Sequence, residues 1–144
     1  RVLPAWIDYN GHMTEFRYLQ VMSEASDVLL AAIGLDEAYV ESGYSVYTVE
    51  THIRHLAEAK LGEQINVSTQ IISADEKRVR LWHSCATDKG VEIATGEQMW
   101  LHVDMKVGCT TPFKPPLKET ISALAAAHAQ LPLPDGAGRS VGGA

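Results

Sequence analysis

The sequence predicts an α+β protein with one domain, in which a long central helix packs against an antiparallel β-sheet. Two observations carry this prediction. Apolar residues recur at steps of three and four between residues 15 and 33, and four later segments alternate residues at the two-residue period of strands. One long helix followed by such a sheet folds as two packed layers. The 144 residues have room for a single domain.

The chain opens on a short apolar stretch, Val2 to Ile7, which we interpret as an edge strand or an extended lead-in because it contains Pro4. The long helix follows. Thr14 is the best N-cap candidate, Glu15 places negative charge in the first turn, and Gly34 ends the helix. The stripe expected to be buried consists of Tyr18, Val21, Met22, Ala25, Val28, Leu29, Ala32 and Ile33.

Four strands are predicted after a polar connection, and the short turns between them favour an antiparallel meander. They cover residues 45–54, 65–71, 78–85 and 93–104. Alternation places Tyr47 and Ile53 on one face of the first strand. Trp82 and Trp100 are expected together on the face away from the helix, among polar residues. A second subunit often covers a face of that kind, so we expect a dimer or a dimer of dimers.

A second, Ala-rich helix is predicted after the sheet, with Pro116 near its first turn. The spacing of its apolar side follows Leu117, Ile121, Leu124 and His128. Residues 132–144 are rich in Pro and Gly and have no periodicity, so we expect this tail to be disordered. The predicted domain therefore covers residues 1–131.

Composition restricts the function classes. The formal net charge of −6 argues against a general nucleic-acid binder, and no apolar run approaches the roughly 18 residues of a membrane span. Cys85 and Cys109 do not make a disulfide framework, which favours a cytoplasmic protein. His52 and His55 lie three residues apart on a strand and point to opposite faces, so we expect no metal site.

The chemistry-bearing stretch lies just before the long helix. Asp8, Asn10 and His12 alternate there, and Gly11 allows a sharp turn with close approach to the main chain. The helix directs unpaired N–H groups and a partial positive charge at this corner, near Glu15. A carboxylate facing such donors suits attack on a carbonyl carbon. We therefore interpret Asp8, Asn10, His12 and Glu15 as a candidate active site for acyl transfer to water.

The same residues carry a family resemblance. A lead-in, then Asp8-x-Asn10-Gly11-His12-Met13, a helix with Tyr18 and Glu24, and four strands resemble the hotdog-fold acyl-CoA thioesterases of the 4-hydroxybenzoyl-CoA thioesterase-like branch. Three segments resemble more narrowly the betainyl-CoA thioesterases of carnitine breakdown: residues 6–13, 47–54 and 101–104. Many relatives carry Asn where this chain has Thr14, which leaves the helix-entry hydrogen bonds open.

The resemblance implies that Asp8 is the catalytic acid, either as a general base for water or as a nucleophile that forms a mixed anhydride. The thioester oxygen is expected to face backbone N–H groups near Glu15, while Asn10 and His12 order the loop or hold the water. Coenzyme A belongs to the substrate, so no separate cofactor is implied.

Coenzyme A is expected to lie between subunits, and its phosphates need cations. The candidates are Lys77, Arg78 and Arg80, with Arg54 behind them. A betainyl group carries a trimethylammonium, which aromatic faces bind. The candidate rings are Trp6, Tyr9, Tyr44, Tyr47, Trp82 and Trp100.

Two other functions fit parts of this pattern. A non-catalytic acyl-CoA-binding module would keep the basic cluster but would not need Asp8. A hotdog hydratase or dehydratase also pairs an acid with a histidine, but usually at a different spacing. Asp8 and Asn10 are also typical turn and capping residues. The pair Asn10-Gly11 is typical of a hairpin turn, but no strand is predicted after it, so we do not expect a hairpin here.

Overall fold

One long helix lies across one face of an antiparallel sheet in the computed structural model, which describes residues 1–141. The predicted α+β architecture is confirmed. The helices are α1 (Glu15–Ile33), α2 (Glu37–Glu41) and α3 (Leu117–His128), and the strands are β1 (Tyr44–His55), β2 (Ile65–Ala74), β3 (Arg78–Thr87), β4 (Glu92–Asp104) and β5 (Cys109–Thr110). Within the described part of the chain, no helix is both long enough and apolar enough to cross a bilayer.

α1 begins after Thr14 and ends at Gly34, whose φ of 99° is the left-handed conformation expected of a C-terminal glycine. Its buried face differs from the predicted stripe. Ser26 is buried, whereas Val28 is 71% exposed. The reason is a hydrogen bond from the Ser26 hydroxyl to the buried side chain of Gln98 (3.1 Å), because a polar group with a partner can occupy the middle of a core face.

The strand order is β1-β4-β3-β2, and every pairing is antiparallel. β2, β3 and β4 form the predicted meander, but the prediction is wrong for β1, which lies beside β4. Residues 56–64 therefore run from one edge of the sheet to the other. Their first N–H groups, on Leu56 and Ala57, both donate to the carbonyl of Ile93 at the start of β4. Within residues 1–141, β1 pairs with β4 alone, so its other edge is open.

A β-bulge between Thr48 and Glu50 shifts the register of β1 against β4. Val46 and Ile53 consequently both pack into the core, although their odd separation in sequence places them on opposite faces of a regular strand. The expectation that Tyr47 shares a face with Ile53 is wrong for this reason.

The two tryptophans of the sheet lie on opposite faces, which corrects the expectation that they share the outer one. Trp100 is 2% exposed and packs in the core beneath α1. Trp82 pairs with Glu97 on the face away from α1. The buried and exposed faces of β4 are the reverse of those predicted. Gln98 and His102 are polar and were expected to be exposed, but both are buried and hydrogen-bonded on the helix side.

The lead-in is not a strand: residues Pro4–Trp6 form a 3₁₀ turn, for which the fixed φ of proline is suited. Residue Val2 still hydrogen-bonds to Gly62 and Glu63. α2 occupies part of the connection expected to be irregular. α3 has the predicted bounds and packs on β2.

The C-terminal segment lies on the outer face of the sheet. The side chain of Gln70 donates to the carbonyl of Pro132 (3.2 Å), and the N–H of Gly138 donates to Glu97 (2.7 Å). The division into a domain over residues 1–131 and a disordered tail over 132–144 stays a prediction, and residues 142–144 lie outside the described part of the chain.

Candidate active site

The loop before α1 is closed by its own main chain. Ile7 and Met13 form an antiparallel bridge, the Asp8 N–H donates to the His12 carbonyl (2.9 Å), and the Gly11 N–H donates to the Asp8 carbonyl (3.1 Å). Gly11 has a φ of 82°, which favours glycine. A single bridge thus closes the loop, and α1 follows it instead of a strand, so Asn10-Gly11 does not form a two-stranded hairpin, as expected.

The Asp8 carboxylate is held at one oxygen only. Its Oδ1 accepts the N–H groups of Asn10 (2.8 Å) and His12 (3.4 Å). Within residues 1–141, Oδ2 accepts no hydrogen bond. The side chain is partly buried and lines a groove of about 340 Å³. One carboxylate oxygen therefore orients the group, and the other remains free to act on a molecule in the groove.

The N-terminus of α1 opens on the same groove, which Glu15 also lines. Thr14 occupies the predicted N-cap position, but its hydroxyl donates to the Trp6 carbonyl (3.0 Å) and caps no helix N–H. No residue of the described chain accepts a hydrogen bond from the N–H of Glu15 or Phe16. These donors, with the positive end of the helix dipole, can stabilise an oxyanion.

His55, the last residue of β1, and residues 56–58 after it form the other wall. The imidazole Nε2 of His12 lies 2.9 Å from Oε2 of Glu58, and both residues line the groove. The Tyr18 hydroxyl donates to the Ala57 carbonyl (3.3 Å) and accepts the Ala59 N–H (3.2 Å). Burial raises the pKa of this phenol, so Tyr18 stays neutral and positions the wall.

Sequence reasoning did not assign Glu58 or His55 to the site. Glu58 is 46 residues from His12 in the chain, so no local spacing could indicate their contact. His55 lies edge-on to the Tyr18 ring, with the centroids 4.8 Å apart. Tyr18 was visible only as a helix residue of the family pattern. Among residues 1–141, no group of three or more His, Cys, Asp or Glu side chains is placed to hold a metal ion.

Of the six candidate rings, none lines the groove at Asp8. Tyr9 is 97% exposed, and the Arg17 guanidinium already lies over the Trp6 ring, 5.5 Å from its centroid. Trp100 belongs to the core, where its indole N–H donates to Gln98 (3.3 Å). Trp82 lies on the outer face. The structure therefore brings Asp8, His12 and Glu15 together, and the aromatic side chains that line their groove are Tyr18 and His55, which are not among the six candidates.

Tyr44 and Tyr47 lie at the far end of β1 from the groove. Since Tyr44 is the first residue of the strand and His55 the last, roughly 35 Å separates them at about 3.3 Å per residue. Tyr44 stacks on His102 with the centroids 5.7 Å apart, and the Lys114 ammonium lies over the Tyr44 ring at 4.9 Å. This end of the molecule thus carries an aromatic surface that already accepts a cation.

The predicted basic residues are also remote from Asp8. Arg78 pairs with Asp75 (2.6 Å) at the turn between β2 and β3, where Lys77 is exposed, and Arg80 pairs with Glu97 on the outer face. Arg54 lies on the outer face as well. Asn10 is exposed, and its N–H serves the loop.

A sheet packed on one long helix, with an acidic loop at the helix N-terminus, defines the hotdog-fold class. The family model described as "Thioesterase-like superfamily" matches residues 2–121. The chain therefore belongs to the thioesterase-like superfamily.

Named relatives agree with this family. The chain is 42% identical to the betainyl-CoA thioesterase of Pseudomonas aeruginosa, over 98% of this chain and 90% of the relative. It is 53% identical to an L-carnitine dehydrogenase/betainyl-CoA thioesterase of Rhizobium meliloti, over 99% of this chain, but it spans only 29% of that relative. A Staphylococcus aureus protein in complex with CoA has the same fold, with a TM-score of 0.91, 24% identity, and coverage of 96% of this chain and 89% of that one.

Proposed function

We propose that the chain hydrolyses an acyl-CoA thioester to the free acid and coenzyme A, with a small quaternary-ammonium acyl group, betainyl, as the preferred substrate. One observation carries the proposal: the free oxygen of Asp8 and the uncapped N-terminus of α1 open on one groove. The names of the Pseudomonas aeruginosa and Rhizobium meliloti relatives support the acyl group.

In the proposed reaction the thioester carbonyl oxygen points at the N–H groups of Glu15 and Phe16. Attack at the carbonyl carbon moves its π electrons onto that oxygen, and the two N–H groups stabilise the charge. Loss of one such donor costs about 10²–10³ in rate in comparable sites. The tetrahedral intermediate then collapses, the C–S bond breaks, and the thiolate of coenzyme A leaves and takes up a proton.

Asp8 promotes attack on the carbonyl carbon by one of two routes. As a general base it removes a proton from water, whose oxygen forms the new bond. As a nucleophile it forms a mixed anhydride that water then hydrolyses, which regenerates the carboxylate. The loop N–H groups on Oδ1 hold the carboxylate in place for either route, and the pair of His12 and Glu58 borders the position of the water. No cofactor is required, because coenzyme A is part of the substrate.

The active unit is proposed to be a dimer formed along the open edge of β1. This edge presents a twelve-residue strand without a partner on that side, and Tyr47 and Val49 are more than half exposed there. Two copies of β1 related by a two-fold axis pair antiparallel. The His55 end of one protomer, with its Asp8 groove, then lies beside the Tyr44 end of its partner.

This arrangement adds an aromatic ring from the second protomer to the Tyr18 and His55 rings that already line the groove. Tyr44 of the second protomer, which lies on the same face of the sheet as α1 and the groove, would face the trimethylammonium, whereas Tyr47 lies on the outer face. An aromatic ring is worth roughly 0.5–2 kcal/mol to such a cation. Lys77 and Arg78 lie at the same end of the sheet and are the candidates for the phosphates of coenzyme A.

The test is a panel of betainyl-, acetyl-, aromatic and long-chain acyl-CoA substrates, scored by the release of free thiol. We expect selective turnover of betainyl-CoA, and a fall of at least about 10³ in kcat for Asp8→Asn with unchanged thermal unfolding, because the variant keeps an acceptor for the loop N–H groups. The matched control is Asp36→Asn, since Asp36 caps α2 and does not line the groove.

No turnover on any substrate would refute the enzyme, and near-normal turnover by Asp8→Asn would remove Asp8 from the mechanism. Binding of acyl-CoA without thiol release, unaffected by Asp8→Asn, would instead identify a non-catalytic binding module. Preference for long-chain substrates would refute the betainyl assignment.

A further inference from the structure

A second cavity, of about 560 Å³, lies on the outer face of the sheet, beneath the segment that follows α3. Its floor is formed by outward side chains of β1 to β4, with Trp82 among them, and its roof by residues 131–135. Asp8 and the N-terminus of α1 do not line it, although Leu56 borders both spaces. The cavity is therefore a site separate from the proposed catalytic groove.

One row of polar side chains crosses the floor. In the strand register Arg54 pairs with Thr95, Thr95 with Ser84, and Ser84 with Ser68, and all four line the cavity. Residues paired across strands point to the same face and lie roughly 4.8 Å apart. A guanidinium at one end is thus followed by three hydroxyl groups in a line. Trp82, in the adjacent row, supplies an aromatic floor beside them.

Two members of this row lack partners. Thr95 is 3% exposed, and its hydroxyl oxygen is buried with no hydrogen bond to any residue of the described chain. Arg54 is partly buried and makes no hydrogen bond or ion pair with residues 1–141. Ser84, in contrast, donates to Glu92 (2.5 Å). A buried hydroxyl beside an unpaired guanidinium is a site that a negatively charged oxygen would satisfy.

The roof is fixed at both ends of the cavity. Gln70 holds the carbonyl of Pro132, and Glu97 holds the N–H of Gly138. Gly136 has a φ of 88°, and a Cβ there would lie 2.3 Å from the Arg54 guanidinium, so the backbone packs directly on this cation. The guanidinium is thereby kept at the edge of the cavity.

We propose that this cavity binds a small organic anion, whose carboxylate or phosphate oxygens take the Arg54 guanidinium and the Thr95 hydroxyl while its body lies on Trp82. Glu92 and Asp135 also line the cavity, so a single negative charge, or a zwitterion with a cationic body, suits it better than a polyanion. Two sources present this chemistry: a free carboxylic acid such as the product of hydrolysis, or a phosphate of coenzyme A. The proposal does not depend on the hydrolysis proposed above.

The test is isothermal titration calorimetry on the full chain with inorganic phosphate, acetate, glycine betaine and coenzyme A. We expect saturable binding of at least one probe. Arg54→Gln should weaken it by about tenfold to a hundredfold, since a hydrogen bond to a charged group is lost. Thr95→Val should weaken it severalfold without lowering the Tm, because it removes an unsatisfied hydroxyl at nearly constant shape. Thr95→Ser should bind as the natural protein does.

Arg1→Gln is the matched control, because it removes an exposed arginine that does not line the cavity and should leave the dissociation constant unchanged. Binding of small probes that responds to Arg54→Gln and Thr95→Val assigns the site to free acids. Binding of coenzyme A alone, with the same response, assigns it to a phosphate of the substrate. Absence of binding by all four probes, or binding unchanged in both variants, would overturn the proposal. Loss of turnover in Asp8→Asn with these affinities intact would separate the two sites.

Discussion

Gly96→Ala probes the contact that sets the distance between α1 and the sheet. Gly96 lies in β4 opposite Ile53 and His83, on the face that α1 covers. A Cβ at this position would lie 2.3 Å from the Met22 sulfur and 3.1 Å from its terminal methyl carbon. Non-bonded heavy atoms prefer about 3.5–4.0 Å. Met22 is fully buried, so its side chain has no open space into which it can move.

The expected cost follows from overpacking, which is about 1–3 kcal/mol for an added methyl group in a filled core. For a chain of this length, 1 kcal/mol corresponds to roughly 3–4 °C in Tm, so we expect a decrease of about 3–12 °C. Relief by an outward shift of α1 would also move the N–H groups of Glu15 and Phe16. Since a displacement of about 1 Å in an active site can cost 10² in rate, turnover should fall as well.

The assay is a double-mutant cycle with Met22→Ala, measured by urea unfolding and by thiol release. Met22→Ala alone should cost about 2–5 kcal/mol because it leaves a cavity. In that background Gly96→Ala should be nearly neutral, since its methyl group enters the vacated space. Equal costs of Gly96→Ala in both backgrounds, within about 0.5 kcal/mol, would refute the contact as the cause.

Two further predictions concern the core and the dimer. Burial lowers the pKa of His83 and His102, so the unfolded chain binds more protons than the folded one below about pH 6.5. Stability that is present at neutral pH is therefore lost on acidification. Thermal unfolding between about pH 7 and pH 5 should show a smaller decrease for His83→Gln than for the natural sequence, and an unchanged pH dependence would contradict the assignment. Val49→Lys places a charge on the exposed edge of β1 and should convert a dimer into an inactive monomer with an unchanged far-UV spectrum, as followed by analytical ultracentrifugation. An active dimer of Val49→Lys would exclude pairing along β1.

The features predicted correctly are those that depend on residues close together in the sequence. The bounds of α1 follow from helical spacing and from Gly34, and the alternation on β2 and β3 holds because no bulge interrupts it before Ile71 and Cys85. The bulge at Thr48 and Glu50 has no comparable signal, since the residues around it alternate without a break. One extra residue there exchanges the faces of everything beyond it.

The face of β4 was predicted wrongly because polarity in sequence was taken for exposure. Gln98 accepts hydrogen bonds from the Ser26 hydroxyl and the Trp100 indole, and the buried His83 bridges Ser26 (3.1 Å) and Thr69 (2.9 Å). These groups lie up to 72 residues apart in the chain. Only the folded structure shows that each has a partner, and a partner removes most of the cost of burial.

In the candidate site, too, the local features were predicted and the contacts between distant residues were not. The loop geometry at Asp8 is local and followed from its motif, whereas His55 comes from the end of β1 and Glu58 from the connection after it. The predicted rings and cations are absent from the groove, yet Tyr44, Tyr47, Lys77 and Arg78 lie together at the opposite end of the sheet.

That separation is itself an argument for two subunits. A single chain places an acid and oxyanion donors at one end of β1, and an aromatic surface with cations at the other, roughly 35 Å away along the strand. No rearrangement within a regular strand can close that distance. In the proposed dimer, a two-fold axis through the middle of the open β1 edge would close it at both ends at once, because antiparallel pairing opposes the first residue of one strand to the last of the other. In such a dimer, the Tyr44 ring of one copy would thus complete the groove of the other.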